Sequence, residues 1–390
     1  EVGASTDTWG TKLNADLDTL DAIFAAGGTA VNVKFASANF DDNAKAIFGT
    51  GDDLEIYHDG SNSYIKDGGT GDLRIASNDL YIKNGADTET KAYFLDNGAV
   101  GLYYDDAVKF ATTSSGVDIT GTINGVGISS NITNFSNSIL ISNDAGTGTL
   151  NAANYNTGLG WEVFDDLTSG DNNAGLGYQA LTKLTTGSSN IGLGAYALAA
   201  ATTGDNNIMI GAVSGYAITT ASNNTGVGHY ALTANSTGHS NTAVGTESLD
   251  ANTTANYNTG FGFRTLSDNT TGTRNSALGA GALKNNTTAN DNTAIGYDAL
   301  NANTTGAQNV AMGYGSLDAN TTANNNTAIG YNSMTTNTTG ANNTALGMNS
   351  MVANTTGGSN VAIGGSALTA NTTASNNVAI GNDALAANTT

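Results

Sequence analysis

Apolar and polar positions in the second part of the chain recur with a fixed period. The stretch NTAIGYDALNANTTGAQ (292–308) aligns with NVAMGYGSLDANTTANN (309–325) without a gap, so the period is 17 residues. Stepping by 17 from Gly160 lands on glycine fourteen times, ending at Gly381. Four residues before each of these glycines stands Asn, from Asn156 to Asn377, and the residue just before it is always apolar, as at Leu159, Ile295 and Ile380. Two positions before the glycine the residue is Gly or Ala except at Met209. Four positions after it the residue is large and apolar except at Gly215.

Within a copy, Thr293 and Ile295 fall on one face of a period-two segment and Ala294 on the other, which predicts a short strand. Ala299-Leu300 forms a second apolar segment, and Asn303-Thr304-Thr305-Gly306 is turn chemistry that tolerates left-handed backbone. Seventeen residues are too few for a helical hairpin, and Asn, Thr and Gly are poor helix formers. One copy therefore predicts one coil of a β-solenoid. Stacked coils share an interior, here expected to be built from the Ile295-type and Leu300-type positions, because a single copy cannot bury its own apolar face. Fourteen rungs at about 4.8 Å make a rod of roughly 65 Å. The glycine is expected at a tight corner with positive φ, and the Asn in a ladder or bonded to turn backbone. The small column at Ala294 is expected to admit a second chain, so that Leu at that position disrupts lateral association.

The first part of the chain follows a different pattern. Leu13, Leu17, Leu20 and Phe24, spaced by four and three, form the seam of an amphipathic helix with Ser5 or Thr6 as its cap. Alternating pairs then recur at Leu54/Ile56, Leu73/Ile75, Leu80/Ile82, Val108/Phe110 and Val117/Ile119, separated by Asp-Gly, Gly-Gly, Asn-Gly and Ser-Gly signals. These predict strands joined by tight turns, with so few large residues that burial between chains would help form their core. The organisation expected is a helical attachment segment at 1–30, a β-rich fibre region at 31–130, a connector at 131–155 and the solenoid at 156–390. The fold class is all-β, a parallel β-solenoid or β-roll with a short N-terminal helix.

Composition narrows the function. The absence of cysteine removes disulfides and thiolate metal sites, leaving packing, backbone hydrogen bonds and association as sources of stability. A formal charge of −21 with 12 basic residues argues against nucleic acid as partner. Neither an apolar run of bilayer-spanning length nor a secretory leader is visible, so membrane insertion is not expected. Residue 1 is Glu, and Asn388-Thr389-Thr390 stops within a repeat, which suggests flanking segments.

Candidate chemistry is sparse. His58, His229 and His239 are widely separated, and nothing assembles a nucleophilic triad. Asp52, Asp53, Glu55 and Asp59 could in name supply the paired carboxylates of glycan cleavage, but solvated turns explain them better. Asp59-Gly60-Ser61-Asn62 offers oxygen ligands without the spacing of a helix-loop-helix calcium site. Asn303-Thr304-Thr305 matches a glycosylation acceptor and reads as a turn. Tyr297, Tyr314 and Tyr331 recur once per coil and could grip sugars through their faces, although a solenoid stacks side chains into columns whether or not anything binds. No catalytic, cofactor-binding or metal residue is assigned, no cofactor is expected, the chain is not expected to be an enzyme, and the sequence does not identify receptor-binding residues.

Two sets of motifs resemble known families. EVGASTDTWGTKLNADLDTLDAIF at the start, GDDLEIYHDGSNSYIKDGGTGDLRIAS (51–77) and AVGLYYDDAVKFATTSSGVDITGTI (99–123) resemble segments of marine bacteriophage tail-fibre proteins. The repeated NTAIG, NVAMG and NVAIG over 156–390 resemble the head repeats of trimeric autotransporter adhesins, with a longer Asn-Thr-Thr turn than the adhesin repeats carry. The resemblance implies a left-handed β-roll, a homotrimer, an extracellular place on the virion, other virion tail proteins as partners, and a host surface glycan or protein as receptor. A bacterial surface adhesin or fibril protein and an ice-binding β-solenoid are the alternatives. The ice-binding reading is disfavoured because adjacent Thr residues in a turn do not make a flat array.

Overall fold

The computed structural model describes residues 36–114, 116–120, 122–123, 126–130, 138–142 and 150–389. The helix expected over Leu13 to Phe24 lies outside the described residues, and no helix occurs among those described. The chain divides into two compact units, one ending in residues 93–99 and the other holding residues 83–92 and everything from 100 onward.

In the first unit, β1 (Lys45–Phe48), β2 (Leu54–His58) and β3 (Ser63–Asp67) form an antiparallel sheet in the order β1-β2-β3. Glu55 at its centre is buried and accepts from Lys45 Nζ at 3.1 Å and Lys66 Nζ at 3.3 Å, one cation from each flanking strand. Two further strands, β4 (Asp79–Lys83) and β5 (Thr90–Leu95), precede β6 (Val100–Tyr104), β7 (Ala107–Thr113) and β8 (Gly116–Ile119). The last three pair antiparallel in succession. The β6–β7 link is a two-residue loop in which Asp105 and Asp106 have φ of 51° and 54°. Two consecutive left-handed residues are what a primed hairpin turn requires, and Asp tolerates that region.

The expected strands at Leu54/Ile56, Leu80/Ile82, Val108/Phe110 and Val117/Ile119 are present. The one expected at Leu73/Ile75 is not. Its flanks, with Gly68, Gly69 and Gly71 just before it, lack the side chains that hold a strand against a neighbour, and both Leu73 and Ile75 are exposed.

The second unit, which includes β6–β8, continues as a solenoid. β9 (Thr122–Ile123) and β10 (Val126–Ser130) pair antiparallel, β10 pairs antiparallel with β11 (Ile139–Ser142), and β11 pairs parallel with β12 (Thr157–Leu159). From β12, three-residue strands recur every 17 residues to β25 (Val378–Ile380), each parallel to the next and in strict register. In β20 (Thr293–Ile295), Thr293, Ala294 and Ile295 face Val310, Ala311 and Met312 of the following strand. Thirteen spacings separate β12 from β25, roughly 62 Å, so the ladder is a stack rather than a closed ring.

The course of one coil follows from its backbone. Gly296 has φ of 137°, and a Cβ there would lie 2.5 Å from the carbonyl oxygen of Gly313 in the next coil. Any side chain at this corner holds the coils apart. Beyond it the chain alternates handedness, with Asp298 and Leu300 at φ of 51° and 56°. Left-handed backbone costs an ordinary residue about 1–2 kcal/mol. Full burial of Leu300 stabilises by about 1.5–3 kcal/mol, enough to offset it. Backbone bonds also continue around the coil outside the strand: Asp298 N donates to Ala280 O at 3.0 Å, Leu300 N to Ser316 O at 2.9 Å and Thr304 N to Thr321 O at 2.9 Å. Each coil is thereby tied to both neighbours along most of its length.

The interior corrects one expectation. Ala294, not Ile295, points inward: Ala294 and Leu300 are fully buried, whereas Ile295 is only partly covered. The left-handed turn carries Leu300 into the interior opposite the strand and leaves room for nothing larger than Ala or Gly on the strand's inner face. The small column therefore does not admit a second chain, and lateral association through Ala294 is excluded.

Two buried asparagine ladders complete the core. Asn292 Oδ1 accepts from the backbone N of Asn309 at 3.0 Å and from its Nδ2 at 3.2 Å, while Asn292 Nδ2 donates to Gly306 O at 2.9 Å. The Asn thus serves both roles expected of it, laddering and satisfying turn backbone. A second ladder starts at Asn235, continues through Asn303 and replaces Leu167, Leu184, Ala201 and Ile218 of the first four coils.

The two departures from the repeat, Met209 and Gly215, occur in the same coil and fit each other. A Cβ on Gly215 would lie 2.8 Å from Met209 Cγ and 2.9 Å from its Sδ. The methionine fills from the strand side the volume that a leucine fills elsewhere from the turn side, keeping the packed volume constant.

Candidate functional site: an outward apolar sheet face

Because Ala or Gly faces in, the larger strand residues face out. The position before the corner glycine gives an unbroken outward apolar column of fourteen residues from Leu159 to Ile380. Phe261 is 42% exposed, Leu278 52% and Ile380 69%. The parallel column from Thr157 to Val378 holds Thr, Val, Ile, Ala or Ser and points the same way. Where Phe261, Leu278 and Ile295 meet Thr259, Ser276 and Thr293, the face carries a shallow hollow of about 170 Å³. A continuous exposed apolar face of this length is a candidate association surface.

Across the corner glycine runs the aromatic column. Tyr297 and Tyr314 stack with ring centroids 5.5 Å apart and planes 10° apart, and Tyr314 and Tyr331 at 5.4 Å and 16°. Each is about half exposed. Earlier in the rod, Tyr178 and Tyr196 meet edge to face at 5.1 Å. The threonine turn contributes one exposed column, because Thr304 Oγ1 donates to Thr321 O at 3.0 Å while Thr305 faces solvent.

The remaining candidates are accounted for by local structure. Asp59 closes the β2–β3 turn: its Oδ1 accepts from Ser61 N at 2.9 Å and Asn62 N at 2.7 Å, and its Oδ2 from Tyr64 OH at 2.8 Å. The backbone bond from Asn62, then Tyr64 and Ser61, hold its carboxyl below the usual range. Glu55 is lowered first by its bond from Lys45. Asp52 sits at φ of 56° in a turn, and the Asp53 side chain packs against Gly49.

Asn303 is fully buried, accepting from Asn320 Nδ2 at 2.9 Å and donating to Gly306 O at 2.9 Å, so the Asn-Thr-Thr motif is a structural turn in the folded chain. His58 lies beside Ser63, and His229 and His239 lie against Tyr230 and Tyr257. Among the described residues, no three His, Asp or Glu groups converge as metal ligands, and no helix is long and apolar enough to cross a membrane. Two carboxyls move the other way: burial raises Asp250, whose Oδ1 has no hydrogen-bond partner, and burial also raises Asp318.

No family model, curated protein or solved structure matches the chain.

Proposed function

We propose that this chain is the shaft of a homotrimeric tail fibre, extracellular and part of a virion, standing between other tail proteins and a receptor on the host cell surface. The observation that carries this reading is the outward apolar sheet face. A strand of three residues spans about 10 Å, so over roughly 65 Å the face covers on the order of 650 Å² per chain. Covering it from both sides removes about 1,300 Å² from water, within the range of stable specific interfaces. The rest of the chain carries a charge of −21 and repels its copies, so association is directed to this one face. The number three and the virion come from the resemblance of the repeats to adhesin heads and of the first third to phage fibres.

Antibodies raised against the whole purified chain test the placement. Labelling of virion tails in electron micrographs is the expected result. Labelling of filaments on uninfected bacterial cells would replace the fibre with the surface-fibril reading.

A further inference from the structure

The aromatic column is interrupted once in a way that makes a slot. Phe263 and Tyr297 occupy the same position two coils apart, and the coil between them carries Ala280 there, followed by Gly281 where its neighbours carry Arg264 and Asp298. The short side chain of Ala280 leaves a pocket of about 290 Å³ lined also by Phe263, Arg264, Gly281, Lys284, Tyr297, Asp298 and Asn301, and the Asp298 carboxylate fills the space that a side chain on Gly281 would take. It lies past the corner glycines, off the apolar sheet face. Two rungs span about 9.6 Å. After about 3.5 Å for the thickness of the rings, roughly 6 Å of clear width remains, more than a flat aromatic ring needs and suited to a puckered sugar ring.

Charge marks the same slot. From residue 156 onward the chain has only four basic residues, Lys183, Arg264, Arg274 and Lys284, and two of them line this pocket. Lys183 pairs with Asp166, Arg264 with Glu247 through its Nε, and Arg274 with Asp291. Lys284 is the one basic residue of the solenoid with no ion pair among the described residues. Arg264, its guanidinium 5.2 Å from the Phe263 ring centroid, keeps its two Nη groups as donors. Asn301 Nδ2 fixes Asp298 Oδ1 at 2.9 Å and Gly281 O at 3.0 Å, giving a rigid acceptor at the base.

We propose that this slot binds one acidic sugar residue, its ring between Phe263 and Tyr297, its anionic group on Lys284 and Arg264, and its hydroxyls on Asp298. The assignment rests on the fibre reading for the source of the sugar, a host surface polysaccharide, and not for the binding itself. Carboxylated and sulfated sugars share this chemistry, and the test separates them.

The full chain is titrated by calorimetry and saturation-transfer NMR with three soluble disaccharides: a glucuronate-containing one, a sulfated one and neutral cellobiose. At least one acidic disaccharide is expected to bind about tenfold or more tightly than cellobiose, and Lys284→Gln to remove about that factor. Ala280→Tyr completes the aromatic column with a residue the next three coils already carry, so it should fold and abolish binding. Failure of all three sugars to bind, equal binding of neutral and acidic sugars, or unchanged binding in Ala280→Tyr overturns the proposal. Light scattering on the same samples reports association separately, so a trimer that binds no sugar sinks this site and leaves the fibre reading standing.

Discussion

The three-stranded sheet of the first unit and the solenoid of the second begin from similar material, short alternating strands separated by turn residues, and reach opposite ends. In the sheet, Ile47, Phe48, Ile56 and Ile65 all remain exposed, and every residue of β3 is exposed. In the solenoid, each three-residue strand has its middle residue buried under its own coil's left-handed turn and its neighbours'. What separates them is exact repetition. Identical spacing lets every coil present the same groups to the next, so asparagines ladder, backbone bonds continue around the corner and a core forms a few side chains wide. An antiparallel sheet with no second layer among the described residues lacks that partner there.

The contrast can be broken most severely at the corner. Gly296→Ala places a Cβ against the backbone of Gly313 and should destabilise the solenoid by about 3 kcal/mol or more, read as a lowered midpoint in chemical unfolding. Asn292→Ala orphans the buried N–H of Asn309 and takes away one of the two side-chain donors to the Gly306 carbonyl, which keeps Asn303 Nδ2, with an expected loss of about 1–3 kcal/mol. A loss below about 1 kcal/mol would mean that the ladder is not the tie between coils.

The compensating pair sharpens the packing argument. Met209→Ala alone leaves a cavity and should cost about 2–4 kcal/mol, and Gly215→Leu alone overpacks by about 1–3 kcal/mol. Combined, they restore the ordinary repeat, so the double variant should be far more stable than the sum of the single losses. Simple additivity would show that the two side chains do not share one space.

The smallest effect is electrostatic. Burial raises Asp250 and Asp318 in the folded chain, so the folded state holds these protons more tightly than the unfolded one. Stability from these groups is therefore greatest below the ordinary carboxylate range and falls as pH rises through their raised folded values. Asp250→Asn should flatten that part of the pH profile and slightly raise the unfolding midpoint at neutral pH. A lower midpoint would contradict it.

The period, the strand, the corner glycine and the asparagine ladder were legible in the sequence, because a repeated coil displays each structural requirement fourteen times. Inside and outside were not. Alternation places Ala294 opposite Thr293 and Ile295 but does not say which face is the interior, and size alone favours the wrong one. The deciding residue is Leu300, whose left-handed backbone swings it inward, a conformation that large apolar residues seldom adopt. The same unreadable step hid the candidate association surface, since the column expected inside lies outside. The Asp105-Asp106 hairpin was hidden for a related reason, as its turn lacks the glycine that usually announces one. The slot at Ala280 is visible only as two small residues until the coils stack.

The central claim is that the outward apolar face is covered by copies of the same chain. Its most direct test is the solution mass of the full chain by light scattering coupled to size exclusion, with the frictional ratio from sedimentation, beside a variant carrying Phe261→Ser, Leu278→Ser and Ile295→Ser. These residues lie on the outward face, and none of them is among the buried core, so the variant should keep its solenoid. The account predicts three chain masses and an elongated particle for the parent, and a shift toward one chain mass for the variant. A compact monomer for the parent, with this face open to water, would contradict it.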